Sequence, residues 1–323
     1  MQPQPNRRRL SPTAIVIVPL AVALVMTLFA WPSARLEPRD LPVGVAGPAT
    51  AVKPIEQRIA AADGSFDVHR YADEAAARQA IEDRDIYGAV VMTPSGPKAL
   101  TASAASRTVA QTLTRAANKA LSPRPVGAPV QDVVPDSEAS SALPSSVLPL
   151  VIAGSVAGLL SIFLATGFAS RLVLLATGSI LGGMAAALVL QTWLDVVGGD
   201  WVANAGGLGL TIMATAAVVA GGHALMGQKG AMIAGVTMTL IGNPFAGASS
   251  APELLPQPVG AIGQLMPPGA GVNLLRSTGF FDGAGATGHV AVLGAWALAG
   301  LTVLLLVALR DRRPVRAAIP QPA

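Results

Sequence analysis

Six uncharged apolar stretches limit this chain to a small set of folds. A helix needs about 20 apolar residues to cross a hydrocarbon core roughly 30 Å thick. Residues 13–31, 147–169, 172–193, 205–226, 231–247 and 289–309 meet or nearly meet that length, and none contains Asp, Glu, Lys or Arg. The fifth is the shortest. Composition agrees, with 52% hydrophobic and 12% charged residues, about half the charged fraction of soluble domains. The architecture is therefore expected to be a polytopic α-helical membrane protein. Absence of cysteine excludes disulfides, thiolate metal sites and cysteine nucleophiles.

The placement of charge orients the spans. A pI near 10.0 does not point to nucleic acid, because residues 32–143 hold 12 Lys+Arg against 13 Asp+Glu. The excess sits beside the apolar stretches. Arg7, Arg8 and Arg9, then Arg171, Lys229, and Arg310, Arg312, Arg313 and Arg316 fall at alternate ends of the spans, with Asp311 the one acid among them. The intervening short loops hold Asp195, Asp200, Glu253 and Asp282 against Arg276. Six crossings put the basic sites on one side, so the positive-inside rule predicts cytoplasmic N and C termini in a multi-pass protein of the plasma (cytoplasmic) membrane. Trp31, Trp193 and Trp201 then mark outer ends, as an aromatic belt would. The first stretch exceeds the roughly 7–15 residues of a signal-peptide core, and Pro32 stands where a small cleavage residue is wanted, so it reads as a retained anchor.

This divides the chain into a basic tail (1–12), a first span (13–31), an extracytoplasmic segment (32–143), a five-helix membrane domain (147–309) and a second basic tail (310–323). Within the outer segment, Leu41, Val43 and Val45 alternate like a strand, and residues 55–62 read as a helix. "FDVHRY" (66–71) alternates again. Residues 73–83 begin with acids, which suits a helix N-terminus, and "IYGAVVM" (86–92) reads as a buried strand. Ala105, Val109, Leu113, Ala116 and Ala120 mark one face of a helix over 102–121. The order β-α-β-α-β-α implies a small α/β domain. From about residue 122 a Pro/Ser-rich linker leads to the second span.

Residues 242–281 are apolar yet broken by proline, which forbids one continuous helix. Helical pieces over 259–266 and 271–281 with a Pro-Pro-Gly turn between them predict a re-entrant-like hairpin in the outer leaflet. Pro256, Pro267, Pro268 and Arg276 would form the candidate exit segment, with Arg276 at head-group depth. Irregular backbone at that depth requires surrounding protein or a water-filled cavity. Gly154, Gly158, Gly178 and Gly182 have small-xxx-small spacing and are the candidate helix-packing or dimer face. His223 is the one titratable group inside a span, and hydrogen bonding to a neighbouring helix is its expected role. No P-loop, HExxH or GxSxG occurs. Nothing pairs a nucleophile with a base, so no enzyme, cofactor or metal site is expected.

"VGVAG" (43–47), "FDVHRYADEAAARQAIEDRDIYGAVVM" (66–92) and "LPQPVGAIGQLMPPGAGVNLLRS" (255–277) carry a resemblance. With one span, an outer α/β domain and five further spans, the chain resembles the ABC type 2 exporter permeases, in their phage infection protein (Pip-like) branch. Asp73, Glu74, Ala75, Ile81, Ile86, Tyr87, Gly88 and Ala89 match the family pattern in the outer domain. Pro256, Leu265, Pro267, Pro268 and Arg276 match it where the family has re-entrant helices. The resemblance implies a homo- or hetero-dimeric permease in the lipid bilayer, energised by a separate ABC ATPase and exporting a lipophilic substrate. Arg171 and Lys229 would lie in the ATPase-facing turns. One departure stands: the N-terminal tail is about 12 residues and the link between the second and third spans is Ser170-Arg171, whereas such permeases offer the ATPase longer helices. The competing expectation is a non-transporting membrane-anchored receptor or scaffold that displays the outer domain.

Overall fold

A computed structural model describes residues 12–60, 64–121 and 129–311. Most of both basic tails, with Arg7, Arg8, Arg9, Arg312, Arg313 and Arg316, lies outside the described residues.

The segment after the first helix builds a five-stranded sheet. Strands β1 (Leu41–Ala46), β2 (Phe66–Tyr71), β3 (Gly88–Thr93), β4 (Gly96–Thr101) and β5 (Val130–Asp132) lie in the order β2-β1-β3-β4-β5. β1 runs parallel to β2 and β3, β3–β4 is antiparallel, and β4–β5 is parallel. Helices α2 (Ala49–Ala60) and α3 (Glu74–Glu82) make the parallel crossovers, and α4 (Arg107–Leu121) follows β4. The sheet is covered on both faces. Ala46, Ala89 and Val91 pack with Ala77, Ala80 and Ile81 of α3, while Leu41 and Val43 pack with Val109 of α4. β1 is therefore apolar at nearly every position, as a doubly covered strand must be.

Two departures from the sequence reading have local causes. The expected helix over 102–121 starts at Arg107, because residues 102–106 turn off the end of β4 and Ser106 Oγ accepts from Val109 N at 3.3 Å in the first turn. Pro94 and Ser95 form a two-residue hairpin turn, closed by Thr93 Oγ1 donating to Gly96 O at 2.6 Å. The linker also forms regular structure within its described residues. Its β5 extends the sheet, and Arg107 Nε donates to Asp136 at 2.8 Å.

Five helices are long and apolar enough to cross a membrane: α1 (counted from Val16 to Ala34), α5 with the turn before it (Ala139–Leu164), α6 with its continuation (Phe168–Trp193), α7 (Trp201–Met226) and α12 (Ala286–Asp311). Helix α7 is the axis of the bundle. It packs against α5, α6, α12, the shorter α8 (Gln228–Thr237) and α11 (Pro267–Phe280). Small residues permit this, since helices in lipid associate through close packing. A Cβ at Gly154 would lie 2.6 Å from Thr215 Cβ, and one at Gly158 would lie 2.7 Å from Ala216 O. α1 leans on the outside, with Leu20 and Met26 both 63% exposed.

The fifth expected span, 231–247, is not among these five. It is helical but divided into α8, a π-helical stretch (Met238–Gly242) and the short α9 (Asn243–Phe245). The run 228–245 returns the chain to the end of the bundle that carries the sheet. A second π-helical stretch, Leu188–Trp193, ends α6. Gly167 (φ 93°) and Gly227 (φ 62°) make the tight turns at the opposite end, where a left-handed backbone favours glycine.

Candidate functional site at the junction of sheet and bundle

The greasy segment 242–281 is where the two halves meet. Its first part serves as a seat for the α/β domain. Ala251 and Leu254 are buried in one core of that domain with Leu41, Val43 and Val109, and Phe281 is buried in the other with Ile81 and Ile86. Backbone bonds fix the seat: Glu37 N donates to Leu254 O at 3.1 Å and Arg39 N to Glu253 O at 3.0 Å. Thr108 Oγ1 donates to Ser249 O at 3.1 Å. The apolar character thus reflects burial in protein.

The second part enters the bundle. α10 (Val259–Gln264) leads to α11, whose residues from Pro267 to Gly279 are all buried. Pro267 and Pro268 stand in the first turn of α11, where proline's missing N–H costs nothing. They start the helix, whereas the sequence predicted a turn there. Trp296 Nε1 donates to Leu265 O at 2.7 Å, and Gly271 abuts Thr211. Both partners lie about 15 Å along α12 and α7 from the helix ends nearer the sheet, at 1.5 Å per residue. The hairpin therefore reaches well into the bundle, and protein surrounds it.

Arg84 ties the sheet to this helix. Asp73 caps α3 by accepting from Ala76 N at 2.9 Å, and α3 closes at Asp83. Arg84 follows in the left-handed region at φ 66°. This turn aims its guanidinium at α11. Nη1 donates to Ser277 Oγ at 2.6 Å and to Asn273 O at 3.0 Å, and Cζ lies 5.1 Å from the Phe281 ring centroid. Burial pulls the Arg84 guanidinium below its ordinary pKa, opposed by Tyr87 and Glu253. Tyr87 Oη donates to Glu253 Oε2 at 2.8 Å. Burial first, and then Glu253, push the Tyr87 phenol above its ordinary value, which keeps it a donor at physiological pH.

Polar side chains continue the connection inward. Thr278 Oγ1 donates to Asn204 Oδ1 at 2.6 Å, and Asn204 Nδ2 donates to Gln191 Oε1 at 2.9 Å. Asn273 Nδ2 donates to Gln264 Oε1 at 2.6 Å. These bonds cross-link α11 to α7, α6 and α10.

The sequence-predicted residues fall in three places. Pro256, Pro267, Pro268 and Arg276 come together in the hairpin and its approach. Arg276 is 5% exposed, so protein encloses it. Gly154 and Gly158 face α7 within the chain, and Gly182 approaches Ile212 Cδ1, whereas Gly178 has open space beside it. Arg171, Lys229 and His223 lie at the far end of the bundle. Arg171 lines a cleft of about 290 Å³ with Ala224, Leu304 and Asp311. Lys229 is exposed, and His223 is half-buried. Arg84, Asn204 and Asn273 were not singled out by position, and Tyr87 and Glu253 were named only as a family-pattern match and a loop acid. Their partners lie far away, 166 residues apart for Tyr87 and Glu253. A polar Asn273 within an apolar segment was the available signal.

A further cavity of about 150 Å³ lies between α2, α4 and the sheet, and every lining residue is apolar, including Val43, Ile55, Ile59, Phe66 and Leu113. Among the described residues, no three of His, Asp and Glu come together to hold a metal ion. No family model, curated protein or solved structure matches the chain.

Proposed function

We propose that this chain is the membrane-spanning permease subunit of an ABC-type exporter of the Pip-like branch. It crosses the cytoplasmic membrane six times, works as a homo- or hetero-dimer and is energised by a separate ATPase. The observation that carries the reading is the placement of α7. One end borders the Arg171–Asp311 cleft, and the other packs against α11, which the outer domain grips through Arg84. A single buried helix thus links a basic end, where a motor could push, to the junction where a substrate would leave. In this reading 228–245 is the sixth crossing, since it links Lys229 to the end holding Glu253. The all-apolar cavity of the outer domain supports a lipophilic cargo.

Affinity purification of the tagged protein in mild detergent, with mass spectrometry of co-purifying proteins, tests this. A stoichiometric P-loop ATPase, lost with Arg171→Glu or Lys229→Glu, is the expected result. Recovery of the intact protein without any ATPase sinks the reading. One observation favours a non-transporting receptor or scaffold: the α5–α6 connection spans residues 165–167 and the α7–α8 connection is Gly227 alone, which offers a motor little surface.

A further inference from the structure

Beside the Arg84 contact lies a cavity of about 220 Å³ between the start of α4, the start of α5 and the loop at Ala248–Ser249. Its wall includes Arg276, Arg107, Thr108, Gln111, Ser141 and Ser249. Arg276 is 5% exposed. Its Nη1 donates to Asn273 Oδ1 at 3.2 Å and its Nη2 to Ala248 O. A guanidinium carries five N–H donors, so these bonds leave donors over. Among the described residues no carboxylate lies within 4 Å of Arg276. Glu253, which acts on it from farther away, already accepts the Tyr87 hydroxyl and also faces Arg84. The buried cluster therefore holds two guanidinium groups and one carboxylate. Within the cavity Arg107 is neutralised by Asp136, which leaves the charge of Arg276 unbalanced. A buried cation without a counter-charge is costly, and a bound anion removes that cost.

We propose that this cavity binds the phosphate of an anionic phospholipid headgroup. A guanidinium matches phosphate oxygens in geometry and charge, and the wall hydroxyls of Thr108, Ser141 and Ser249 add polar partners. Location selects the lipid source over free phosphate. Leu143 and Pro144, at the start of the α5 span, close the cavity. A neighbouring cavity of about 180 Å³ shares Pro144, Ala248 and Ser249 and reaches Phe29 and Leu36 beside the end of α1. Between Val16 and Trp31, helix α1 exposes most of its apolar side chains. A headgroup at Arg276 thus has a path for its acyl chains onto α1. The assignment does not depend on the export reading.

The purified full-length protein in detergent is titrated with dioleoyl phosphatidylglycerol, with dioleoylglycerol lacking the phosphate, and with inorganic phosphate. Retained lipid is counted by native mass spectrometry, and Tm is followed in parallel. The expected result is one retained phosphatidylglycerol, no retained dioleoylglycerol, and displacement of the former by millimolar phosphate. Arg276→Gln should weaken retention about tenfold or more, the loss of one charge-assisted contact. Gln111→Glu, combined with Arg115→Gln to remove the guanidinium that Gln111 Oε1 accepts from at 3.4 Å, adds a repelling charge at the exposed rim without touching the buried bonds, and should weaken retention while Gln111→Asn in the same background does not. Equal retention of the two lipids overturns the proposal, as does a Gln111→Glu protein that binds like Gln111→Asn. A Tm raised by phosphate without retained phosphatidylglycerol overturns the lipid assignment in favour of a free anion.

Discussion

Arg84 does the work of several residues, because its side chain bonds two groups of α11 and covers Phe281. Arg84→Ala should lower stability by about 3 kcal/mol, the scale of two charge-assisted hydrogen bonds and a cation–π contact. Thermal unfolding in detergent checks this. Arg84→Lys should restore less than half, since an ammonium lacks the planar guanidinium that lies over the Phe281 ring. A second prediction concerns pH. The hydrogen bond from Lys98 at 2.6 Å, helped by Arg78, holds the Glu74 carboxyl below its ordinary pKa. A depressed folded-state pKa stabilises the fold above the unfolded value near 4.3, and that stability is lost as pH falls through the folded value. Glu74 is one-third exposed, so the effect is a few tenths of a kcal/mol after screening. Glu74→Gln should therefore lower Tm slightly at pH 7 and leave it unchanged at pH 2. At this scale the sequence was legible where partners are local. Asp73 and Glu74 opening α3 followed from helix chemistry, and Asp73 indeed caps it. Arg84 was not legible, because its role depends on a left-handed turn and on a helix that follows 189 residues later.

Among the helices, glycine positions differ in what they face. Gly154→Ile should prevent stable assembly or cost about 1–3 kcal/mol or more, because its Cβ would strike Thr215 on α7. Gly178→Ile should be tolerated, since nothing lies within 4 Å of its Cβ position. Yield and monodispersity in size-exclusion chromatography distinguish the two. A tolerated Gly154→Ile would remove the close α5–α7 approach. Gly178 is then the one of the four spaced glycines left on an open surface, and a change in oligomer size with Gly178→Ile would place a dimer contact there. Hydrophobic length alone located α5, α6, α7 and α12 to within a turn or so. It could not separate α8 from a full span, because the π-helical stretch at Met238–Gly242 leaves composition unchanged while breaking the regular helix. It also could not tell that the Pro-rich segment is buried in protein. An apolar residue facing lipid and one facing another helix read alike in sequence.

For the molecule as a whole, the absence of cysteine makes any single introduced cysteine a unique reporter. Impermeant maleimide applied to intact cells should label cysteines at Lys53, Asp195 and Asp282, and should reach those at Ser170 and Lys229 only after permeabilisation. Labelling at Lys229 from outside would remove 228–245 from the crossings. The alternation of charge suggested this arrangement, but it gave no hint that the outer domain is incomplete without the later chain. Ala251, Leu254 and Phe281 fill cores whose other fully buried members lie between Leu41 and Val109. This has a consequence for biogenesis. With the six crossings proposed above, the α/β domain leaves the ribosome before these three residues exist and waits on the far side of the membrane with part of each core unfilled. Only insertion of the α10–α11 hairpin completes it. Completion of the outer domain therefore reports that nearly the whole chain has been inserted, and a protease surveying that compartment would find its substrate in any chain that stalls earlier.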